Sequence, residues 1–122
     1  MRVGIDLVSV QQVRGSIEAH GERYMRRVYT ERELADCTSE WGIAAARLAA
    51  RFAAKEAALK MLAPREEGID LRSIEVRRRE CGAVELALSG RAAELAALAG
   101  VSELALSITH EGDFACAVVV AT

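Results

Sequence analysis

Two carboxylates and one ammonium stand where their residue types are least expected. Asp6 interrupts Arg2-Val3-Gly4-Ile5-Asp6-Leu7-Val8, where Val3, Ile5 and Leu7 alternate against Gly4 and Asp6. That period of two predicts a strand over 2–8, with Asp6 on the face opposite Ile5 and Leu7, in an element type that disfavours Asp. Glu56 belongs to the long helical run about 40–62, which Pro64 stops. At 100° per residue, Ala45, Ala49, Phe52, Ala53 and Leu59 all lie within about 60° of it, so Glu56 sits inside the apolar stripe. Arg47, Arg51 and Lys55 form an i, i+4, i+8 ladder on another side, and Lys60 lies one turn beyond Glu56. Burying a bare carboxylate costs several kcal/mol, so Glu56 must be paired, protonated or bound to metal. An internal Glu56–Lys60 salt bridge would meet that need without any chemistry. Convergence of Asp6 and Glu56 on one hard divalent ion would meet it with chemistry. Magnesium suits such a pair, because it takes few protein ligands and fills its octahedron with water and phosphate oxygens.

His110 ends Leu106-Ser107-Ile108-Thr109-His110, two residues before Gly112. Such a His, beside hydroxyls and a Gly turn, can receive a phosphate or stand as an ordinary exposed loop residue. His20, in a polar stretch, reads as solvated. Arg14, Arg23, Arg26 and Arg27, with Tyr24 and Met25 interleaved, make a basic cluster in a chain of net charge −2. A local sign opposite to the net charge suits docking of an acidic partner, and otherwise a solvated face. One short patch without aromatic platforms is poor for nucleic acid, and the overall charge excludes a binder held by bulk positive potential.

The elements that must position these residues follow from pattern. The 122 residues, 52% hydrophobic and 28% charged, are enough for one domain with a core of its own over 1–122. A helical stretch about 9–29 has a break at Gly21. Thr30-Glu31-Arg32-Glu33 is a capping box that starts a short helix, followed by a loop near Cys37. Strands at 73–79 and 84–88 pair across Glu80-Cys81-Gly82, with Ile74 and Val76 sharing a face. Ser89 caps a helix over 90–99 with Gly100 just past its end. Strands 103–109 and 114–121 close a hairpin over Glu111-Gly112-Asp113. The order implies an α+β fold with mostly antiparallel sheet packed against one long and several short helices. Cys37, Cys81 and Cys116 form no CxxC and read as reduced, semi-buried small hydrophobes of a cytoplasmic protein. No apolar run is long enough for a membrane span.

Taken together, the motifs resemble the holo-acyl-carrier-protein-synthase type of 4′-phosphopantetheinyl transferase. Val3-Gly4-Ile5-Asp6-Leu7-Val8, Tyr29-Thr30-Glu31-Arg32-Glu33 and Leu106-Ser107-Ile108-Thr109-His110 match in order and spacing. Arg51-Phe52-Ala53-Ala54-Lys55-Glu56-Ala57-Ala58-Leu59-Lys60 is similar to the family's RFAAKEAxxK signature. The resemblance implies transfer of the phosphopantetheine arm of coenzyme A to a serine of an apo acyl carrier protein or carrier domain, releasing 3′,5′-ADP. Asp6 and Glu56 are then the implied magnesium ligands, Glu56 the base for the carrier serine, and Lys60 the contact to the pyrophosphate and departing phosphate. Ser107, His110 and Gly82 join Lys60 in holding coenzyme A, and Arg14, Arg23, Tyr24, Met25, Arg26 and Arg27 dock the carrier. A homotrimer with active sites between subunits is also implied. Arg79-Glu80-Cys81-Gly82-Ala83-Val84 departs from the family's Asn-x-x-Gly-Lys-Pro turn, keeping the Gly and losing the basic residue and the Pro. That loss points to a specialised member serving secondary metabolism instead of the housekeeping enzyme. Two competing classes are a carrier-binding module that has kept the fold without catalysis, and an unrelated metal-dependent phosphohydrolase. Intact Asp6, Glu56, Lys60 and His110 count against the first, and the absence of a His cluster against the second.

Overall fold

A computed structural model describes residues 1–122. Strand β1 (Arg2–Ser9) leads into helices α1 (Val10–His20), α2 (Glu22–Val28) and α3 (Glu31–Asp36). A small hairpin, β2 (Thr38–Ser39) with β3 (Gly42–Ile43), precedes the long helix α4 (Ala45–Leu62). A single 3-10 turn at Leu71–Ser73 then opens the hairpin β4 (Ile74–Arg78) and β5 (Val84–Leu88). Helix α5 (Gly90–Leu98) and the hairpin β6 (Leu104–Glu111) and β7 (Phe114–Ala121) complete the chain. The main sheet has the order β1-β7-β6 and every pairing is antiparallel, as the sequence pattern predicts.

The local signals explain the boundaries. Gly21, at φ 53°, separates α1 from α2 where the helical run was expected to break. Thr30 and Glu33 close both halves of the capping box that starts α3. The helix expected from 40 starts only at Ala45, because Glu40 and Trp41 form the tip of a hairpin that the loop reading left out. Ser89 occupies the N-cap of α5, but its side chain accepts no backbone hydrogen bond, contrary to expectation. β6 runs on through His110 and Glu111, so His110 is a strand residue beside the turn.

The core is built on α4, whose Leu48, Ala49, Ala50, Ala53, Ala54, Ala57 and Ala58 are all at most 1% exposed. One side of the main sheet packs against it. Gly4 lies so close to the helix that a Cβ there would overlap the Ala57 carbonyl and crowd the Met61 nitrogen at 2.9 Å. The Arg2 guanidinium donates to the Met61 and Leu62 carbonyls, both at 3.2 Å, binding the start of β1 to the open C-terminal end of α4. The apolar set of β1 therefore faces outward: Val3, Ile5 and Leu7 are 62%, 59% and 65% exposed, while Gly4 and Val8 are buried and Asp6 half-buried. Register places Val3 beside Val120, Ile5 beside Val118 and Leu7 beside Cys116, extending this outer apolar face across β7. Cys37 is buried, Cys116 half-buried and Cys81 exposed, which corrects the expectation for Cys81: it sits in the β4–β5 turn.

Candidate active site

Asp6 shares the inner face of the sheet with Ala117 and Ile108, and β1 carries it against α4. Lys60 reaches across from the last turn of α4, donating to Asp6 Oδ1 at 2.9 Å and to the Ile5 carbonyl at 2.9 Å. The helix-internal Glu56–Lys60 bridge does not form; the ammonium prefers the strand carboxylate, which a backbone carbonyl helps it reach. Glu56 is half-buried beside this pair. Burial, and then the charge of Asp6, push its carboxyl above the ordinary value, with Lys60 pulling partly the other way. Two oxygen donors of hard character, one without a partner of its own, fit magnesium. No third His, Cys, Asp or Glu joins them to make a larger metal-ligand cluster.

A second region gathers the residues expected to hold phosphates. Gly82, Ser107 and His110 line one cavity of about 500 Å³ between the start of α4, the β4–β5 turn and β6. Gly82 turns the β4–β5 connection at φ 90°, a conformation that favours Gly. Arg47, Arg51 and Arg78 share the same cavity. Asp6, Glu56 and Lys60 are not on its wall, so within one chain the carboxylates and the phosphate residues occupy separate regions.

The basic cluster spans two helices. Arg14 is exposed on α1, and Arg23, Arg26 and Arg27 are exposed on α2, Arg26 lying 3.7 Å from Glu22. Tyr24 and Met25 are half-buried and pack toward the core; the Tyr24 and Tyr29 hydroxyls are 3.0 Å apart with the rings edge to face.

Sequence reasoning missed the most buried ionic group. Lys55 is 0% exposed, and its three protons meet Glu33 Oε1 at 2.7 Å and the Leu71 and Ile74 carbonyls at 2.8 and 2.6 Å. Glu33, also 0% exposed, accepts from the backbone nitrogens of Thr30 at 2.9 Å and Val76 at 2.8 Å. Burial lowers the Lys55 ammonium from its ordinary value, and Glu33 opposes that shift. The pair ties α3, β4 and α4 together one residue before Glu56. The capping box was the available signal, since it already fixed Glu33 in the first turn of α3.

The chain matches the family model described as the 4′-phosphopantetheinyl transferase superfamily over residues 2–119. It is 43% identical over 119 residues to a holo-[acyl-carrier-protein] synthase of Halorhodospira halophila, covering 97% of this chain and 94% of that protein. A holo-[acyl-carrier-protein] synthase of Gloeobacter violaceus is 38% identical over 118 residues, with 97% and 89% covered. Among solved structures, a Chronobacterium ammoniagenes ACPS–CoA complex superposes with a TM-score of 0.85 at 32% identity, over 99% of this chain and 96% of that one. The Helicobacter pylori holo-[acyl-carrier-protein] synthase in complex with coenzyme A gives 0.84 at 26% identity, covering 98% and 99%. Fold, motif order and near full-length identity agree, and the chain belongs to the holo-[acyl-carrier-protein]-synthase type of the 4′-phosphopantetheinyl transferase superfamily.

Proposed function

We propose that this protein transfers the 4′-phosphopantetheine arm of coenzyme A to a serine of an apo acyl carrier protein, with magnesium bound by Asp6 and Glu56, and releases 3′,5′-ADP. The observation that carries this reading is Glu56: a half-buried carboxylate beside the Asp6–Lys60 pair, with burial and a like charge both working against its ionised form. Perturbed carboxylates in such surroundings suit proton transfer. Glu56, directly or through a water, takes the proton of the carrier serine as that oxygen attacks the phosphorus. Lys60, already fixed by Asp6 and the Ile5 carbonyl, offers its ammonium to the pyrophosphate and to the departing phosphate. Magnesium, when bound, neutralises charge on the pyrophosphate. Ser107, His110 and Gly82 hold the nucleotide end of coenzyme A in the second region.

The exposed face of Val3, Ile5 and Leu7, continued by Val118 and Val120, supports a homotrimer. Subunit contact of that kind would bring one chain's carboxylates to another chain's phosphate cavity. The exposed arginines of α1 and α2 support docking of an acidic carrier. No helix is long and apolar enough to cross a membrane, in keeping with the proposed cytoplasmic place. Intact-mass measurement on a panel of apo carriers incubated with the protein, magnesium and coenzyme A tests the reading. One carrier should gain the mass of a phosphopantetheine arm, and a chelator should stop the gain. Carrier capture without any gain in mass would favour a binding module.

A further inference from the structure

The segment Tyr29-Thr30-Glu31-Arg32-Glu33 is the one matched motif that the proposed chemistry leaves unused. Its capping box starts α3, which accounts for Thr30 and Glu33 but not for Tyr29. Tyr29 is the C-cap of α2, the helix that carries the exposed Arg23, Arg26 and Arg27, and is itself 1% exposed. Its hydroxyl donates at 3.1 Å to the carbonyl of Leu48, in the first turn of α4. No other hydrogen bond or ion pair joins α2 or its cap to α4. The Lys55 ammonium lies 6.0 Å from the centre of the Tyr29 ring, so one side chain meets α4 at its start and again at the residue before Glu56. A phenol has a single proton to donate. Because Tyr29 gives its proton to Leu48, the 3.0 Å contact between the two hydroxyls is a bond donated by Tyr24 to Tyr29. Burial pushes the Tyr29 hydroxyl far above its ordinary value, which keeps it a donor at working pH. Two bonds thus run in one direction, from Tyr24 on α2 through Tyr29 to the backbone of the helix that carries Glu56, each polarising the other.

The transfer proposed above requires the serine of a carrier held by α1 and α2 to reach Glu56 on α4. The offset between α2 and α4 is then part of the reaction geometry, and a displacement of about 1 Å is enough to slow a positioned reaction. Resting on that function, we propose that Tyr29 is a positioning residue for the carrier: it fixes α2 against α4, and Tyr24 acts through it. Tyr29 touches no reacting atom. Nor is it on the wall of the cavity that Gly82, Ser107 and His110 line, so coenzyme A binding should not depend on its hydroxyl.

Tyr29→Phe removes the hydroxyl and keeps the ring that fills the core. Rates are measured as mass gained by an apo carrier, per folded molecule, below the onset of melting. Tyr29→Phe should lower kcat about tenfold, as for one hydrogen bond lost from the transition state, with KM for coenzyme A and for the carrier within about twofold of wild type. Tyr24→Phe should lower kcat less, about threefold, and the double variant should be no slower than Tyr29→Phe, because Tyr24 acts through Tyr29. A purely structural role would lower the melting temperature and leave kcat per folded molecule unchanged, which would overturn the proposal. So would a tenfold rise in KM for coenzyme A, or losses from the two substitutions that multiply. Should Tyr29→Phe not fold, Tyr24→Phe alone decides, an unchanged kcat overturning the relay. Wild type that adds no arm to any carrier removes the transfer reaction and the positioning role with it. A working wild type equalled by Tyr29→Phe removes the positioning role alone.

Discussion

At the scale of residues, the contrast between Glu56 and Lys55 separates function from stability. Glu56 is raised above its ordinary value by burial and by Asp6, so the folded chain binds its proton more tightly than the unfolded chain does. Stability from that proton is present at low pH and is lost as pH rises through the raised folded value. Glu56→Gln should therefore melt higher than wild type in metal-free buffer at pH 7, with the difference vanishing near pH 4. The same variant should lose carrier modification by roughly 10²- to 10⁴-fold, the range for removal of a general base. In metal-free protein, the Glu56 carboxyl carbon followed by NMR should titrate above an ordinary glutamate, and Asp6→Asn should lower that midpoint. Lys55 behaves oppositely. Lys55→Met leaves Glu33 charged and buried, and should cost about 3–5 kcal/mol in denaturant unfolding. Adding Glu33→Gln should restore part of that loss, because the stranded charge is then gone.

The elements matter through how closely they approach. β1 and α4 touch at Gly4, where any side chain would meet the Ala57 carbonyl. That contact sets the depth at which Asp6 faces Lys60, so a structural Gly controls the pair proposed to act in transfer. Gly4→Ala should destabilise by about 1–3 kcal/mol through overpacking. It should also reduce carrier modification more than a mere loss of folded protein explains, measured as kcat at a temperature where the variant remains folded. The strand–helix–hairpin plan was legible in the sequence because its signals are local: the alternation in β1, the Gly21 break, the Thr30–Glu33 box and Pro64. The β2–β3 hairpin was not legible, since its two-residue strands leave no periodicity to read.

For the whole molecule, the outward face of the main sheet is the feature that a single chain leaves unexplained. Val3, Ile5 and Leu7 are exposed although their alternation resembles that of a core-facing strand. If a homotrimer covers this face, light scattering after gel filtration should give three chain masses. Ile5→Lys should give one chain mass and little carrier modification, with the isolated chain still folded. A monomeric wild type with full activity would rule out the trimer. At the opposite extreme of polarity, charge reversal at the exposed Arg14 or Arg26 should raise KM for the carrier several-fold and leave coenzyme A binding unchanged. An equal loss of both would assign those arginines to the nucleotide or the fold.

The sequence by itself determined the residue types, their helical and strand periods, and the anomaly of two carboxylates in apolar settings. These depend on positions a few residues apart, and the 3.6 and 2.0 periods project them directly onto faces. Tertiary structure decided which face each element buries and which charges meet. The helical ladder of Arg47, Arg51 and Lys55 looked uniform along the chain. Packing divided it: Lys55 met Glu33 from an element 22 positions earlier, and Arg51 was left without an acidic partner on the wall of the cavity that Ser107 and His110 share. Lys60 likewise passed over the nearby Glu56 for Asp6. Partner choice among like charges depends on distances through space, which no local pattern encodes.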